Sequence, residues 1–287
     1  MKAIVCLGSN TVDVYADRGL MFPGGNAVNV AVIAARLGIR SAYIGCFGAT
    51  DTAGQLIGDA LEAENVDVSR VRRIAGNTAR TFIGHRGEDR IFLGFDRGIR
   101  PEYTLEPEDF RFIAAFDALH TGLNNDKNEE MERLAASARM MTVDFADHWQ
   151  PAQRDRFAPL ADIAFLSHAT GDAAHCVDTM RGFAAAGAAL VVATRGENGA
   201  MALADGQVFS QSSAPARIVD TLGAGDAFVA GFLDGWLRGR KTPAALEDGA
   251  RSAAAICAEL GGFGRGLVFD PTSFPIPGLG GRPRAQS

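Results

Sequence analysis

The stretch Asp220-Thr-Leu-Gly-Ala-Gly-Asp226 runs straight into Ala227-Phe-Val-Ala-Gly-Phe-Leu-Asp-Gly-Trp-Leu237. In the second part Phe228, Phe232 and Trp236 form one i, i+4 row, and Val229, Leu233 and Leu237 the row beside it. Two such rows make one buried helix face, so a helix is expected to begin near Asp226. The first N–H groups of a helix have no intrahelical partner. Gly223 and Gly225, lacking Cβ, let the chain bend so that these donors converge on an anion. Asp226 can be an ordinary first-turn acid favoured by the helix dipole. That reading leaves the glycines on either side of Ala224 without a reason. If the anion is a phosphoryl group in transfer, the amides stabilise its charge and a carboxylate one residue on accepts the proton of an attacking hydroxyl. This is phosphoryl transfer to an alcohol without a P-loop lysine.

Two further segments suit that chemistry. In Pro23-Gly-Gly-Asn-Ala-Val-Asn-Val-Ala31, Gly24, Gly25 and Asn26 stand at a helix start where backbone and amide can meet polyol hydroxyls, with Asn29 one turn deeper. The same residues also read as a turn and an N-cap. Thr194-Arg-Gly-Glu-Asn-Gly199 leaves a buried strand and offers glycine-rich backbone to a nucleotide, or serves as a plain connection. Other phosphate and acyl chemistries lack their motifs. Gly235-Trp-Leu-Arg-Gly-Arg-Lys-Thr242 has Arg240 where a P-loop needs glycine, strand one is followed by Gly8-Ser-Asn10 rather than Gly-x-Gly-x-x-Gly, and no Gly-x-Ser-x-Gly occurs.

The elements that must position these residues alternate along the chain. Ala3 to Leu7, Ser41 to Gly45, Ala118 to Thr121, Met141 to Phe145, Ile163 to Leu166 and Ala189 to Ala193 read as strands buried on both faces. Between them lie helices over Asn26 to Leu37, Thr52 to Glu64 capped by Asp51, Asn128 to Arg139, and Asp172 to Ala186. This rhythm gives βαβ units and a mainly parallel sheet. Thr78 to Phe95 alternates around Arg86-Gly-Glu-Asp89 and predicts a solvent-facing hairpin, which with Thr11 to Phe22 forms a small sheet outside the core. Asp205-Gly206 predicts a second, two-residue hairpin turn. One domain is expected over 1–265, followed by a Pro/Gly-rich tail over 266–287 whose last dozen residues are expected to be disordered.

Composition narrows the classes. At 287 residues, 47% hydrophobic and 22% charged, the chain can bury a large core. A net charge of -6 with no basic run gives no footprint for nucleic acid. Cys6, Cys46, Cys176 and Cys257 are scattered, without metal spacing, and read as reduced core thiols. The apolar start Ala3 to Leu7 is too short for a signal peptide, and no run spans a membrane, so a cytoplasmic protein is expected.

Taken together, the three glycine-bearing motifs in this order resemble the ribokinase-like, or PfkB, carbohydrate kinases over roughly residues 1 to 265. The resemblance implies a three-layer α/β/α sandwich with a mainly parallel central sheet and a small β-lid. It implies Asp226 as catalytic base and Gly223, Ala224 and Gly225 as anion hole. Asn10, Asp13, Gly24, Gly25, Asn26 and Asn29 then match sugar-binding positions, and Thr194, Gly196 and Gly199 the ATP segment. The family's Asn-x-x-Glu, which serves magnesium, is replaced by Ser167-His-Ala-Thr170. Asp144 is the first candidate for magnesium in its place, with His168 and Asp172 behind it. Some members bind a monovalent cation, for which Asp220 is the candidate.

Local strings are most similar to the fructoselysine 6-kinase branch: Gly24 to Val32, Asp144-Phe-Ala-Asp-His-Trp149 and Gly196-Glu-Asn-Gly199. That branch implies transfer of the ATP γ-phosphoryl group to the C6 hydroxyl of an Amadori product. Kinases for another sugar, a nucleoside or a keto-deoxy sugar acid, and an idle sugar-binding protein on the same fold, remain alternatives. The outlying strands resemble the family's lid, which implies a homodimer paired through it, with Arg80, Asp96 and Arg97 bordering the acceptor pocket or simply solvated.

Overall fold

The first strand, β1 (Ala3–Leu7), is buried along its whole length, with Ile4 and Cys6 facing one core and Ala3, Val5 and Leu7 the other. That two-sided burial is what an unbroken apolar strand requires. A computed structural model describes residues 2–86, 89–169 and 171–269. After β1 the chain forms a hairpin, β2 (Thr11–Tyr15) and β3 (Leu20–Gly24), and enters α1 (Asn26–Arg36). Next come β4 (Arg40–Ile44), β5 (Cys46–Gly48), α2 (Thr52–Ala63) and β6 (Arg72–Ile74). As expected, Asp51 caps α2, accepting from Gly54 N at 3.0 Å.

The long hairpin is β7 (Arg80–Arg86) and β8 (Asp89–Asp96); part of its turn, residues 87 and 88, lies outside the described residues. α3 (Pro107–Ile113) and β9 (Ala118–Gly122) follow. The helix expected over Asn128 to Arg139 is shorter: a 3-10 turn at Asn128–Glu130 and then α4 (Met131–Ser137). Ser137 Oγ bonds back to Arg133 O at 2.8 Å, and Ala138 is already extended. β10 (Met141–Asp144), α5 (Pro151–Phe157), β11 (Ile163–Ser167), α6 (Ala173–Ala185) and β12 (Leu190–Thr194) continue the alternation. The chain then forms β13 (Ala200–Ala204) and β14 (Gln207–Gln211), turning through Asp205 and Gly206 at φ 49° and 76°. α7 (Ala224–Leu237), α8 (Thr242–Ile256) and β15 (Leu267–Val268) complete it.

The eight-stranded sheet has the order β14-β13-β12-β11-β10-β9-β1-β4. All its pairs are parallel except those of the β13–β14 hairpin at one edge. Residues of α1, α2, α7 and α8 pack on one face and residues of α3, α4, α5 and α6 on the other, giving the expected three layers. A five-stranded sheet, β15-β3-β2-β7-β8, stands apart as the lid. β15 lies just beyond the boundary expected at residue 265. Leu267 pairs with Met21, and Phe269 is buried in the main core. The last dozen residues lie outside the described residues. Among the described residues no helix is long and apolar enough to cross a membrane.

The parallel strands all point the same way, so Leu7, Gly122, Asp144, Ser167 and Thr194 end on one edge of the sheet. Open α/β sheets bind ligands at that edge.

Candidate active site

The open end of α7 lies two residues earlier than the hydrophobic rows predict. Gly223, at φ 76°, is its N-cap, and Ala224 and Gly225 belong to the first turn rather than to a preceding loop. A Cβ on Gly223 would stand 2.7 Å from both Cα and O of Gly262, so conformation and close approach each demand glycine. The first helical bond runs from Ala227 N to Gly223 O at 2.8 Å. Ala224 N turns back to Thr221 O at 3.3 Å, which leaves the N–H groups of Gly225 and Asp226 as the amides ahead of the helical ladder. No atom lies within 4 Å of where a Gly225 Cβ would be. An anion can approach there unobstructed.

Asp226 is half-buried and is held by two amides from α1. Asn29 Nδ2 donates to Oδ2 at 2.6 Å and Asn26 Nδ2 to Oδ1 at 2.8 Å. Asn26 Nδ2 also donates to Asp144 Oδ2 at 2.8 Å, so one amide nitrogen joins both carboxylates. Its Oδ1 must therefore accept, and it does so from His120 Nε2 at 3.1 Å. With the proton on Nε2, His120 Nδ1 is an acceptor for the Thr142 hydroxyl, 2.9 Å away. Burial drives the His120 pKa down to about 3, so the ring is neutral and this tautomer is fixed. The chain Thr142–His120–Asn26 thus sets which face of the Asn26 amide meets the carboxylates.

His120 and Thr142 were not among the expected site residues. The signal was a histidine inside a strand otherwise buried on both faces, since a buried polar group must find a partner. As a positioning residue, His120 has a measurable signature. His120→Leu is expected to lower kcat about 10- to 100-fold, the effect of freeing a hydrogen bond to a charged site, with the KM for ATP little changed. His120→Gln, which keeps a donor, should recover most of the loss. Steady-state kinetics of the two variants separates this from a general loss of stability, which Gln would not repair.

Burial raises Asp226 to about 6, opposed by the bonds from Asn29 and then Asn26. Burial raises Asp144 to about 7, opposed first by the Ala146 N–H and then assisted by the Asp226 charge. A base must be ionised to accept a proton, so activity is lost as pH falls through these raised values. The kcat/KM profile is expected to climb up to about pH 6 to 7 and level off above, the limb belonging to the coupled pair. A limb at the ordinary carboxylate value, near pH 4, would contradict the assignment.

A cavity of about 680 Å³ opens beside this network, lined on the sheet side by Ser9, Thr11, Gly25, Asn26, Gly122 and Asp144. Of the expected sugar contacts, Gly25 and Asn26 line it, and Asn29 bonds to Asp226, which Asn26 also holds. Asn10 Nδ2 donates to Tyr43 Oη and Cys46 O, both at 2.8 Å, bracing the connection after β1 against β4 and β5. Asp13 is buried beside Gly24. Asp144, the first candidate for magnesium, lines the cavity, its Oδ2 accepting from Asn26 and its Oδ1 from Ala146 N.

Asp220, the candidate for a monovalent cation, accepts from Tyr15 Oη at 2.5 Å and from Leu222 N and Gly261 N, both at 3.0 Å. It ties the lid strand β2 to the loop before α7. Arg80 turns to Asp51 at 3.3 Å and Asp96 accepts from Gly98 N, while Arg97 does line the cavity. Thr194, Gly196 and Gly199 form a tight turn at the end of β12, closed by Arg195 N donating to Gly199 O at 2.7 Å. His168 follows β11, its N donating to Thr194 O at 2.8 Å, and Asp172 caps α6 through His175 N; Thr170 lies outside the described residues.

The fructoselysine 6-kinase of Escherichia coli (strain K12) is 35% identical over 254 residues, covering 88% of this chain and 97% of that protein. The fructosamine kinase FrlD of Bacillus subtilis (strain 168) is 33% identical over 271 residues, 93% of this chain and 94% of that one. Among solved structures, Arabidopsis thaliana ribokinase complexed with ribose and ATP superposes with a TM-score of 0.78 at 18% identity, covering 95% of this chain and 97% of that one. Aminoimidazole riboside kinase from Salmonella enterica, complexed with aminoimidazole riboside and an ATP analogue, gives 0.71 at 23%, covering 91% and 95%. At those identities the two structures show the shared fold alone. The family described as pfkB family carbohydrate kinase matches residues 2–263. Such a match, over nearly everything the structure describes, makes the chain a member of the pfkB family of carbohydrate kinases, phosphotransferases acting on a sugar hydroxyl.

Proposed function

We propose that the protein transfers the γ-phosphoryl group of ATP to the C6 hydroxyl of a fructosamine-type acceptor such as fructoselysine. The observation that carries the chemistry is Asp226, held by Asn26 and Asn29 at the open end of α7 with free helix amides beside it. The acceptor is supported by the two relatives named for fructoselysine and fructosamine, each about a third identical over most of both chains.

In this reading the acceptor lies in the cavity with its hydroxyl at Asp226. The hydroxyl oxygen forms the new bond to the γ-phosphorus, and the bond from that phosphorus to the β–γ bridging oxygen breaks. ADP leaves with that electron pair. The hydroxyl proton passes to Asp226 and then to solvent. The Gly225 and Asp226 amides stabilise charge on the transferring group, and the lid sheet keeps water from it. Thr194, Gly196 and Gly199 offer backbone to the nucleotide at the end of β12.

Among the described residues no group of three or more His, Cys, Asp or Glu side chains is placed to hold a metal ion. Magnesium therefore fits as an ion carried on the nucleotide phosphates and waters, where it neutralises phosphate charge. Asp144 serves the acceptor side in this reading. Asp220 is the candidate ligand for a monovalent cation beside the anion site, and a rise in turnover on adding potassium tests it. The free, buried Cys6, Cys46, Cys176 and Cys257 suit a reducing cytoplasm. The unpaired edge of β8 suits pairing with a second copy, as a homodimer through the lid.

ADP release with MgATP across fructoselysine, fructose, ribose, nucleosides and a keto-deoxy sugar acid tests the acceptor. Turnover concentrated on the fructosamine is expected. Stronger turnover of another member would keep the mechanism and replace the substrate.

A further inference from the structure

The cavity is larger and more polarised than a simple sugar needs. Its volume of about 680 Å³ falls among pockets that enclose drug-sized ligands. The sheet side carries Asn26 and the carboxylate of Asp144, whereas Phe92, Phe95 and Arg97, from the lid hairpin and the residue after it, supply another wall. Phe92 and Phe95 are 69% and 43% exposed, unusual for large apolar side chains unless something covers them.

The charges on that wall do not cancel. Asp126 is the acid there, its side chain only 4% exposed, and it receives two guanidinium groups. Arg100 neutralises it from within: Nε donates to Oδ2 at 2.6 Å, Nη2 to Asn124 O at 2.6 Å, and its Cζ lies 5.5 Å from the Phe95 ring centre. Arg97 reaches the other oxygen of Asp126 through Nε at 3.1 Å and Nη2, but its side chain remains 60% exposed. Two arginines against one aspartate leave a surplus positive charge, and the exposed guanidinium on the cavity is the one positioned to use it.

We propose that Arg97 binds the carboxylate of an amino acid joined to the sugar, with the aliphatic stem of that amino acid lying over Phe92 and Phe95. Arg97 is then the residue that tells a fructosamine carrying this carboxylate from one that lacks it. This rests on the fructosamine reading of the cavity and adds what distinguishes one fructosamine from another. A guanidinium and a carboxylate pair through charge-assisted bonds, and Arg suits the role by its planar fork.

The test compares two acceptors that differ by that one group: fructoselysine, and the fructosamine of cadaverine, which is lysine without its carboxylate. The unaltered protein is expected to prefer fructoselysine by about tenfold in kcat/KM, the lower range for a charge-assisted bond at a part-exposed site. Arg97→Gln should bring the ratio between the two acceptors close to one, and Arg97→Glu should invert it in favour of the cationic cadaverine conjugate. Melting temperatures of both variants check that the exposed substitutions leave the fold intact. Equal losses on both acceptors would overturn the subsite while leaving fructosamine phosphorylation standing. Turnover of neither conjugate by the unaltered protein, with turnover of another sugar, would remove the acceptor reading and the subsite together.

Discussion

Asp226→Asn is expected to lower turnover about 10²- to 10⁴-fold, the usual contribution of a general base, while nucleotide affinity changes little. The reason is local. The carboxylate accepts one amide bond on each oxygen, from Asn26 and from Asn29, and still has lone pairs for the acceptor hydroxyl. An amide in its place cannot take that proton. It also turns one NH₂ toward an Asn donor, a mismatch costing about 1–3 kcal/mol of stability. Calorimetric nucleotide binding and a melting curve would show a folded, ATP-competent protein, and the assay would show the loss. Near-normal turnover would remove Asp226 from the chemistry.

Two glycine variants divide shape from access at the anion site. Gly223→Ala is expected to damage both fold and activity. Its Cβ would meet the Gly262 backbone at 2.7 Å, and its left-handed φ of 76° adds about 1–2 kcal/mol of strain. Displacing the amides that follow should cost activity about 10²- to 10³-fold, as for the loss of one oxyanion donor. Gly225→Val meets open space and should melt near the parent temperature, although its side chain stands where the phosphoryl group must come. A Gly225→Val protein with parental activity would place the phosphoryl group elsewhere.

The sequence made much of this site readable because the candidate anion site is local. Gly223, Gly225 and Asp226 belong to one turn, and the apolar rows of α7 identify the face that buries it. Those rows could not mark the first residue of the helix, which depends on Gly223 adopting a left-handed cap. The alternation of strands and helices likewise revealed the layers, while β15 stayed hidden. Its Leu267 and Val268 are too few for a periodic signal and gain their place only by pairing with β3.

Non-local contacts fix the remaining side chains. His120 is placed by its register partner Thr142 on the neighbouring strand and by Asn26, which arrives from the start of α1. Asp144, the magnesium candidate at the end of β10, is held by the Asn26 amide, a contact between residues far apart in the chain. Asn10, a sugar candidate, donates its Nδ2 to the Tyr43 hydroxyl and the Cys46 carbonyl. In each case the residue and its strand were legible, and the partner that fixes the side chain was not.

Proton-coupled phosphorus NMR of the product formed from fructoselysine and MgATP tests the central claim most directly. One equivalent of ADP per phosphoester is expected, with the phosphorus signal split by the two hydrogens of C6. Phosphate on a ring carbon, or inorganic phosphate released in its place, would contradict transfer to the primary hydroxyl at Asp226.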